Sequence, residues 1–204
     1  MTLLELYEKC LSASYTSTDS GGDFAIELDG DTLYLLFEKS EGAEDWRNNF
    51  KFLAVPWMPY KNMTKPWLCH RGFLKVWKSI EPFIEAAIRS RKIKKIIIVG
   101  YSHGAALALL CYEYVKYHRP DAFVKGFGFG CPRVFWGIVP REVKARFKDF
   151  TVVRNGADIV THVPPVAFGF RHIGNVITVG KTNPVRDHYP ERYIANLTEQ
   201  QKDL

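Results

Sequence analysis

The chain has 204 residues, 47% hydrophobic and 25% charged, enough to bury one sizeable core and too little for two ordinary domains, so a single domain over residues 1–204 is expected. Its formal charge of +6 comes from scattered Lys and Arg that are not interleaved with aromatics, which excludes a nucleic-acid groove. Cys10, Cys69, Cys111 and Cys131 form no Cys-X-X-Cys pair and no His cluster at metal spacing, which argues against a zinc site, and no apolar run is long enough to span a bilayer.

In chain order, Met1–Leu11 has helical spacing, with Glu5, Glu8 and Lys9 set among Leu3, Leu6, Tyr7 and Leu11. It lacks the unbroken apolar stretch of a signal peptide, so a cytoplasmic location is expected. Phe24–Leu28 and Thr32–Phe37 read as extended segments joined by the turn Asp29, Gly30, Asp31. Phe73, Val76, Trp77, Ile80, Phe83, Ile84, Ala87 and Ile88 recur at helical spacing, with Pro82 expected to kink or divide that helix. The basic run Arg89, Arg91, Lys92, Lys94 and Lys95 reads as a solvated face at its end. A buried strand over Lys95–Val99, a helix from His103 to His118 and a strand over Ala122–Phe129 then predict a right-handed βαβ crossover and an at least partly parallel sheet. A short helix within Arg141–Phe147 and strands at Phe150–Arg154 and Asn175–Val179 follow, with irregular chain between and beyond them and the last polar residues disordered.

Gly100, Tyr101, Ser102, His103 and Gly104 fall where the central strand meets the helix, the setting of a nucleophile elbow. The flanking glycines keep the turn clear, and the serine hydroxyl is expected to be exposed above a helix N-terminus that favours negative charge. Such a serine needs a histidine to take its proton and an acid to orient that histidine. In α/β-hydrolase-like sheets these follow in the order acid then His, in loops after later strands. Asp158, after the turn Asn155–Gly156, and His188, beyond the last strand, occupy those places; Asp187 is a rival acid, read as structural because adjacent residues rarely face each other in triad geometry. His70 and His172 read as packing or hydrogen-bonding residues, His118 as a helix C-terminal residue and His162 as a loop support.

The segment from Ala157 through Asp158 to Gly174 resembles the acid loop of the class 3 (fungal-type) triacylglycerol lipases. Gly100–Leu107 is similar to that family's elbow, Gly130–Val134 to its Gly-X-Pro-Arg-Val strand end, Asp187–His188 to its histidine segment, and His70–Phe73 to its His-X-Gly-Phe helix start. Phe37–Trp46 is similar to its oxyanion loop, so the likeness covers roughly residues 24–190. The resemblance implies an α/β-hydrolase fold, with a mixed, mostly parallel central sheet flanked by helices, and an ester hydrolase with Ser102 as nucleophile, Asp158 as acid and His188 as base. It also implies that the amides of Ser40 and His103 form the oxyanion hole. Trp46 and Trp57 are assigned to substrate binding: Trp46 in a largely polar counterpart of the family's lid, Trp57 in the stretch Val55–Trp67 that would line an acyl groove. Glu38 and Lys39 replace the family's Arg-Gly before the oxyanion residue. The substrates implied are acylglycerols first, then phospholipids cleaved A1-fashion, then soluble feruloyl or acetyl esters. Peripheral contact with a lipid surface is a further expectation, and no metal or organic cofactor is implied. The competing class is a hydrolase-fold protein that binds lipid or a partner without catalysis.

Overall fold

The computed structural model describes residues 1–38, 52–60, 66–138, 141–180 and 186–202. The helices are α1 (Leu3–Ser12), α2 (Arg71–Ala87), α3 (His103–His118), α4 (Arg141–Arg146) and α5 (Pro190–Lys202). The strands are β1 (Thr16–Ser17), β2 (Asp23–Asp29), β3 (Thr32–Phe37), β4 (Ala54–Trp57), β5 (Trp67–His70), β6 (Lys95–Tyr101), β7 (Phe123–Phe129), β8 (Phe135–Trp136), β9 (Phe150–Asn155), β10 (Phe170–Arg171) and β11 (Asn175–Val179).

Among the described residues the central sheet has seven strands in the order β1-β2-β3-β6-β7-β9-β11. Only the first two pairings are antiparallel; from β3 onward every neighbour is parallel. The period-two pattern of β3 and β6 decides how it is covered. Leu33, Leu35, Phe37, Ile96 and Ile98 point into one core with Phe73, Trp77, Ile80 and Ile84 of α2, while Tyr34, Leu36, Ile97, Val99 and Tyr101 point into another with Tyr7 of α1 and Tyr193 and Leu197 of α5. Both faces are thereby buried, as a largely parallel sheet requires.

Helix α3 is buried on every side from His103 to Val115, because it lies between the sheet and α2. Helix α2 runs through Pro82 as one element rather than two. Its buried stripe, Phe73, Trp77, Ile80 and Ile84, continues on both sides of the proline and holds it in register.

Two features depart from the sequence reading. The chain after β11 includes α5, thirteen residues of helix where irregular chain ending in disorder is expected from sequence, and Tyr193, Asn196 and Leu197 dock it on the sheet. Among the described residues a second antiparallel sheet has four strands in the order β10-β8-β5-β4, each only two to four residues long. Trp57 belongs to this sheet. It is 2% exposed, stacked on Phe135 at 6.1 Å and edge-on to Trp67 at 6.0 Å, so its assignment to substrate binding is corrected: burial makes it a packing residue.

Candidate active site

Three strand ends build the site. The carboxyl end of β6 leads into Ser102, whose backbone takes φ 57° and ψ −120°, a sparsely populated conformation for a residue with a side chain. Holding it costs about 1–3 kcal/mol, drawn from the surrounding packing. The amide of Ser102 donates to the carbonyl of Phe129 at the end of β7, 2.9 Å away. The flanking glycines permit this approach: a Cβ on Gly104 would lie 2.2 Å from the carbonyl oxygen of Phe37, and one on Gly100 would lie 2.3 Å from that of Gly104. The hydroxyl, expected to be exposed, is instead buried with its residue, which is 1% exposed, because the turn sets it directly against His188.

Ser102 Oγ lies 2.8 Å from His188 Nε2. On the other side of the ring, Nδ1 lies 2.9 and 3.0 Å from the two oxygens of Asp158, which is fully buried. A continuous hydrogen-bonded chain thus runs from hydroxyl through imidazole to carboxylate, an arrangement that can turn a serine into a nucleophile. The ring of Tyr101 stacks on His188 at 5.3 Å, and its hydroxyl donates to the His188 carbonyl.

Asp158 is held by its own loop. Its Oδ1 accepts the amide of Val160 at 2.9 Å, and its carbonyl accepts the hydroxyl of Thr161 at 2.7 Å and lies 3.1 Å from His162 Nδ1. His172 Nε2 donates to the Thr161 carbonyl at 2.7 Å. Arg133, 8% exposed, reaches in from the segment after β7 and donates to the carbonyls of His162 and Pro164, while its amide donates to Val163. The loop is therefore tied to the neighbouring strand end by a guanidinium and a backbone amide as well as by its buried Val160, Phe170 and Ile173. Burial pulls His172 down to about 4, so near neutrality it is an uncharged donor. His70, at the start of α2, packs against Phe73 at 4.5 Å, and His118 ends α3 against Tyr114.

His103 opens α3, placing its amide in the first turn, where unpaired backbone N–H groups and the helix dipole favour an anion. Its ring points into the core and is held neutral, with burial lowering it to about 4. Ser40 and Trp46 lie outside the described residues, as does Lys39. Among the described residues no cluster of three or more His, Cys, Asp or Glu side chains could hold a metal ion. The cysteines are buried thiols, and burial raises Cys10 and Cys69 to about 12.

Asp187 accepts the amide of Ala157 on Oδ2 at 2.8 Å, which makes it a clamp on the acid loop. Tyr193, for which the sequence carries no signal beyond an aromatic near the end of the chain, donates to Asp158 Oδ2 at 2.6 Å. Asn155 joins the two groups, donating to the Asp187 carbonyl at 2.9 Å and accepting from Asn196 of α5 at 2.6 Å.

The family model described as lipase (class 3) matches residues 34–168. A secreted mono- and diacylglycerol lipase of Malassezia globosa is 26% identical over 159 residues, covering 76% of this chain and 51% of that protein. A lipase of Rhizomucor miehei is 29% identical over 157 residues, covering 75% of this chain and 43% of that protein. The chain thus spans about half the length of the curated relatives it matches. Among solved structures, a triacylglycerol lipase whose catalytic centre is described as a serine protease triad superposes with a TM-score of 0.70 at 22% identity, over 82% of this chain and 66% of that one. The Rhizomucor miehei lipase in complex with its propeptide gives 0.70 at 20% identity, over 91% of this chain and 66% of that one. The likeness establishes the α/β-hydrolase fold. The Malassezia globosa lipase is named as secreted, as are further similar lipases of that organism and of Fusarium solani, which overturns the cytoplasmic location expected from the amino terminus. No helix among the described residues is long and apolar enough to cross a membrane.

Proposed function

Because the chain belongs to the class 3 lipase family, we propose that it is a serine carboxylic-ester hydrolase, one domain acting outside the cell on acylglycerols. The observation that carries this reading is the unbroken path from Ser102 Oγ through His188 to Asp158, with links of 2.8 and 2.9 Å, at the N-terminus of α3. In this reading Ser102 Oγ attacks the ester carbonyl carbon and its proton passes to His188 Nε2. The negative oxygen that forms is held by the amide of His103, with that of Ser40 as the second donor; one such donor is worth about 10²–10³ in rate. The carbon–oxygen bond to the alcohol then breaks, His188 gives its proton to the departing alcohol, and a water activated by the same imidazole releases the fatty acid. Asp158 holds the ring and balances the imidazolium charge throughout.

Acylglycerols are favoured because relatives carry the names of mono- and diacylglycerol lipases. The surface around the acid loop suits a lipid interface: Ile159, Val166 and Phe168 are exposed on the loop itself, with Trp136 and Ile138 exposed beside it. The Trp136 indole N–H donates to the Phe168 carbonyl, fixing part of this apolar rim.

The test is hydrolysis of a p-nitrophenyl ester series from acetyl to palmitoyl, with triglyceride and phospholipid emulsions, by wild type and Ser102→Ala. Activity lost by about 10⁵–10⁶-fold in the variant supports the hydrolase. Absence of wild-type hydrolysis on every substrate, with no fluorophosphonate labelling of Ser102, overturns it in favour of a non-catalytic lipid- or partner-binding protein.

A further inference from the structure

The phenol of Tyr193 and the carboxylate of Asp158 lie thirty-five residues apart in sequence and 2.6 Å apart in the fold. Both side chains are fully buried, and the phenol comes from α5. A phenol has one proton to give, and the surroundings decide where it goes. The amide of Asn155 donates to the Tyr193 oxygen at 3.2 Å, occupying an acceptor position there. The remaining acceptors in reach are Asp158 Oδ2 at 2.6 Å and the Val153 carbonyl at 3.5 Å, so the phenol keeps its proton and points it at the carboxylate. Burial and the negative charge of Asp158 push the phenol well above its ordinary value, so it stays a donor across the working range of pH.

We propose that Tyr193 is a positioning residue for the triad, fixing the acid from behind so that His188 faces Ser102. The inference rests on the hydrolase reading above. Oδ2 takes two donors, Tyr193 and His188, and Oδ1 takes the Val160 amide as well as His188, so each carboxylate oxygen is anchored once from behind the imidazole. Without the phenol the carboxylate keeps only the Val160 amide as an anchor behind the imidazole, and more of its charge falls on the imidazole, which then keeps its proton to higher pH. The other titratable groups around the pair are Tyr101 from β6, stacked on His188; Tyr7 from α1, 5.4 Å from the rings of both Tyr101 and Tyr193; His162 on the acid loop; and Asp187 beside His188. The described hydrogen bonds to the Asp158 carboxylate come from Val160, His188 and Tyr193.

The experiment compares wild type, Tyr193→Phe and Asn196→Ala in the full chain. Asn196 anchors the same helix to Asn155 without touching Asp158, so it controls for simple loosening of α5. For Tyr193→Phe, kcat is expected to fall about tenfold with KM unchanged, and the acid limb of kcat/KM to move up by about one pH unit, the size of one lost hydrogen bond to a charged group. The far-downfield proton resonance of the His188–Asp158 hydrogen bond should also be displaced. Asn196→Ala should lower the melting temperature and leave limb and resonance in place. An acid limb and a downfield proton both unchanged in Tyr193→Phe overturn the assignment. Absence of ester hydrolysis by wild type overturns the hydrolase reading instead, and the proton spectrum, which needs no turnover, still decides the role of Tyr193.

Discussion

The amide of Ala157, next to Asp158, donates to the carboxylate of Asp187, next to His188, at 2.8 Å. This contact joins two loops that arrive from different strands, and it sets the distance across which Asp158 and His188 meet. It also separates the roles of two neighbouring acids: Asp158 faces the imidazole, while Asp187 faces backbone.

The two carboxylates should therefore fail differently. Asp158→Asn removes the charge that stabilises the imidazolium and should lower kcat by about 10⁴-fold with little change in melting temperature. Asp187→Ala leaves the amide of Ala157 without its partner in a largely buried site, a loss of about 1–3 kcal/mol in stability. Its kcat should fall by no more than about tenfold, since the clamp positions the acid loop without touching the reacting atoms. Thermal unfolding alongside p-nitrophenyl ester kinetics separates the two; an Asp187→Ala loss as deep as that of Asp158→Asn would make Asp187 the acid.

Gly130 offers a second test of how tightly the pair is enclosed. Its φ is +60°, and a Cβ there would lie 3.0 Å from both Asp158 Oδ2 and His188 Cε1. Gly130→Ala thus combines left-handed backbone strain of about 1–2 kcal/mol with pressure on the imidazole–carboxylate contact. The expected result is a melting temperature several degrees lower and a kcat reduced by about tenfold or more, with KM for short esters little changed. Wild-type kcat in a folded Gly130→Ala protein would show that the contact tolerates displacement.

Much of this arrangement is legible in the sequence because it follows from local periodicity. Thr32–Phe37 and Lys95–Tyr101 alternate between two cores, the apolar run of α3 has a proline just beyond it, and a Gly-X-Ser-X-Gly at their junction has one structural meaning. What escapes has its cause at long range. The strands of the second sheet are two to four residues long, too short to show a period, so Trp57 beside Pro56 reads as an acyl-groove residue when it is core. Helix α5 begins at a proline and carries a polar tail, and its apolar stripe, Tyr193 and Leu197 with Ile194 beside it, is too narrow to stand out without the sheet it packs on. The hydrogen bond of Tyr193 to Asp158 has no local signature, because nothing around residue 193 says which buried oxygen lies opposite.

Buried neutral histidines give the stability a predictable pH dependence. His70, His103 and His172 are each lowered to about 4 in the folded protein, from 6.5 in the unfolded chain, with burial the leading cause in all three. Between those values the unfolded chain binds more protons than the folded one, so stability rises with pH across that window. Their contribution is complete above about pH 6.5, is lost progressively on acidification, and is gone once the folded groups also protonate below about 4. A shift of this size is worth about 3 kcal/mol for a group as buried as His103, and less for the partly exposed His70 and His172. His172→Gln keeps a donor for the Thr161 carbonyl and removes the titration. Urea unfolding at pH 7, 5.5 and 4.5 should show wild type losing stability over this series and His172→Gln losing measurably less. Equal slopes in the two proteins would mean that His172 titrates alike in the folded and unfolded chains.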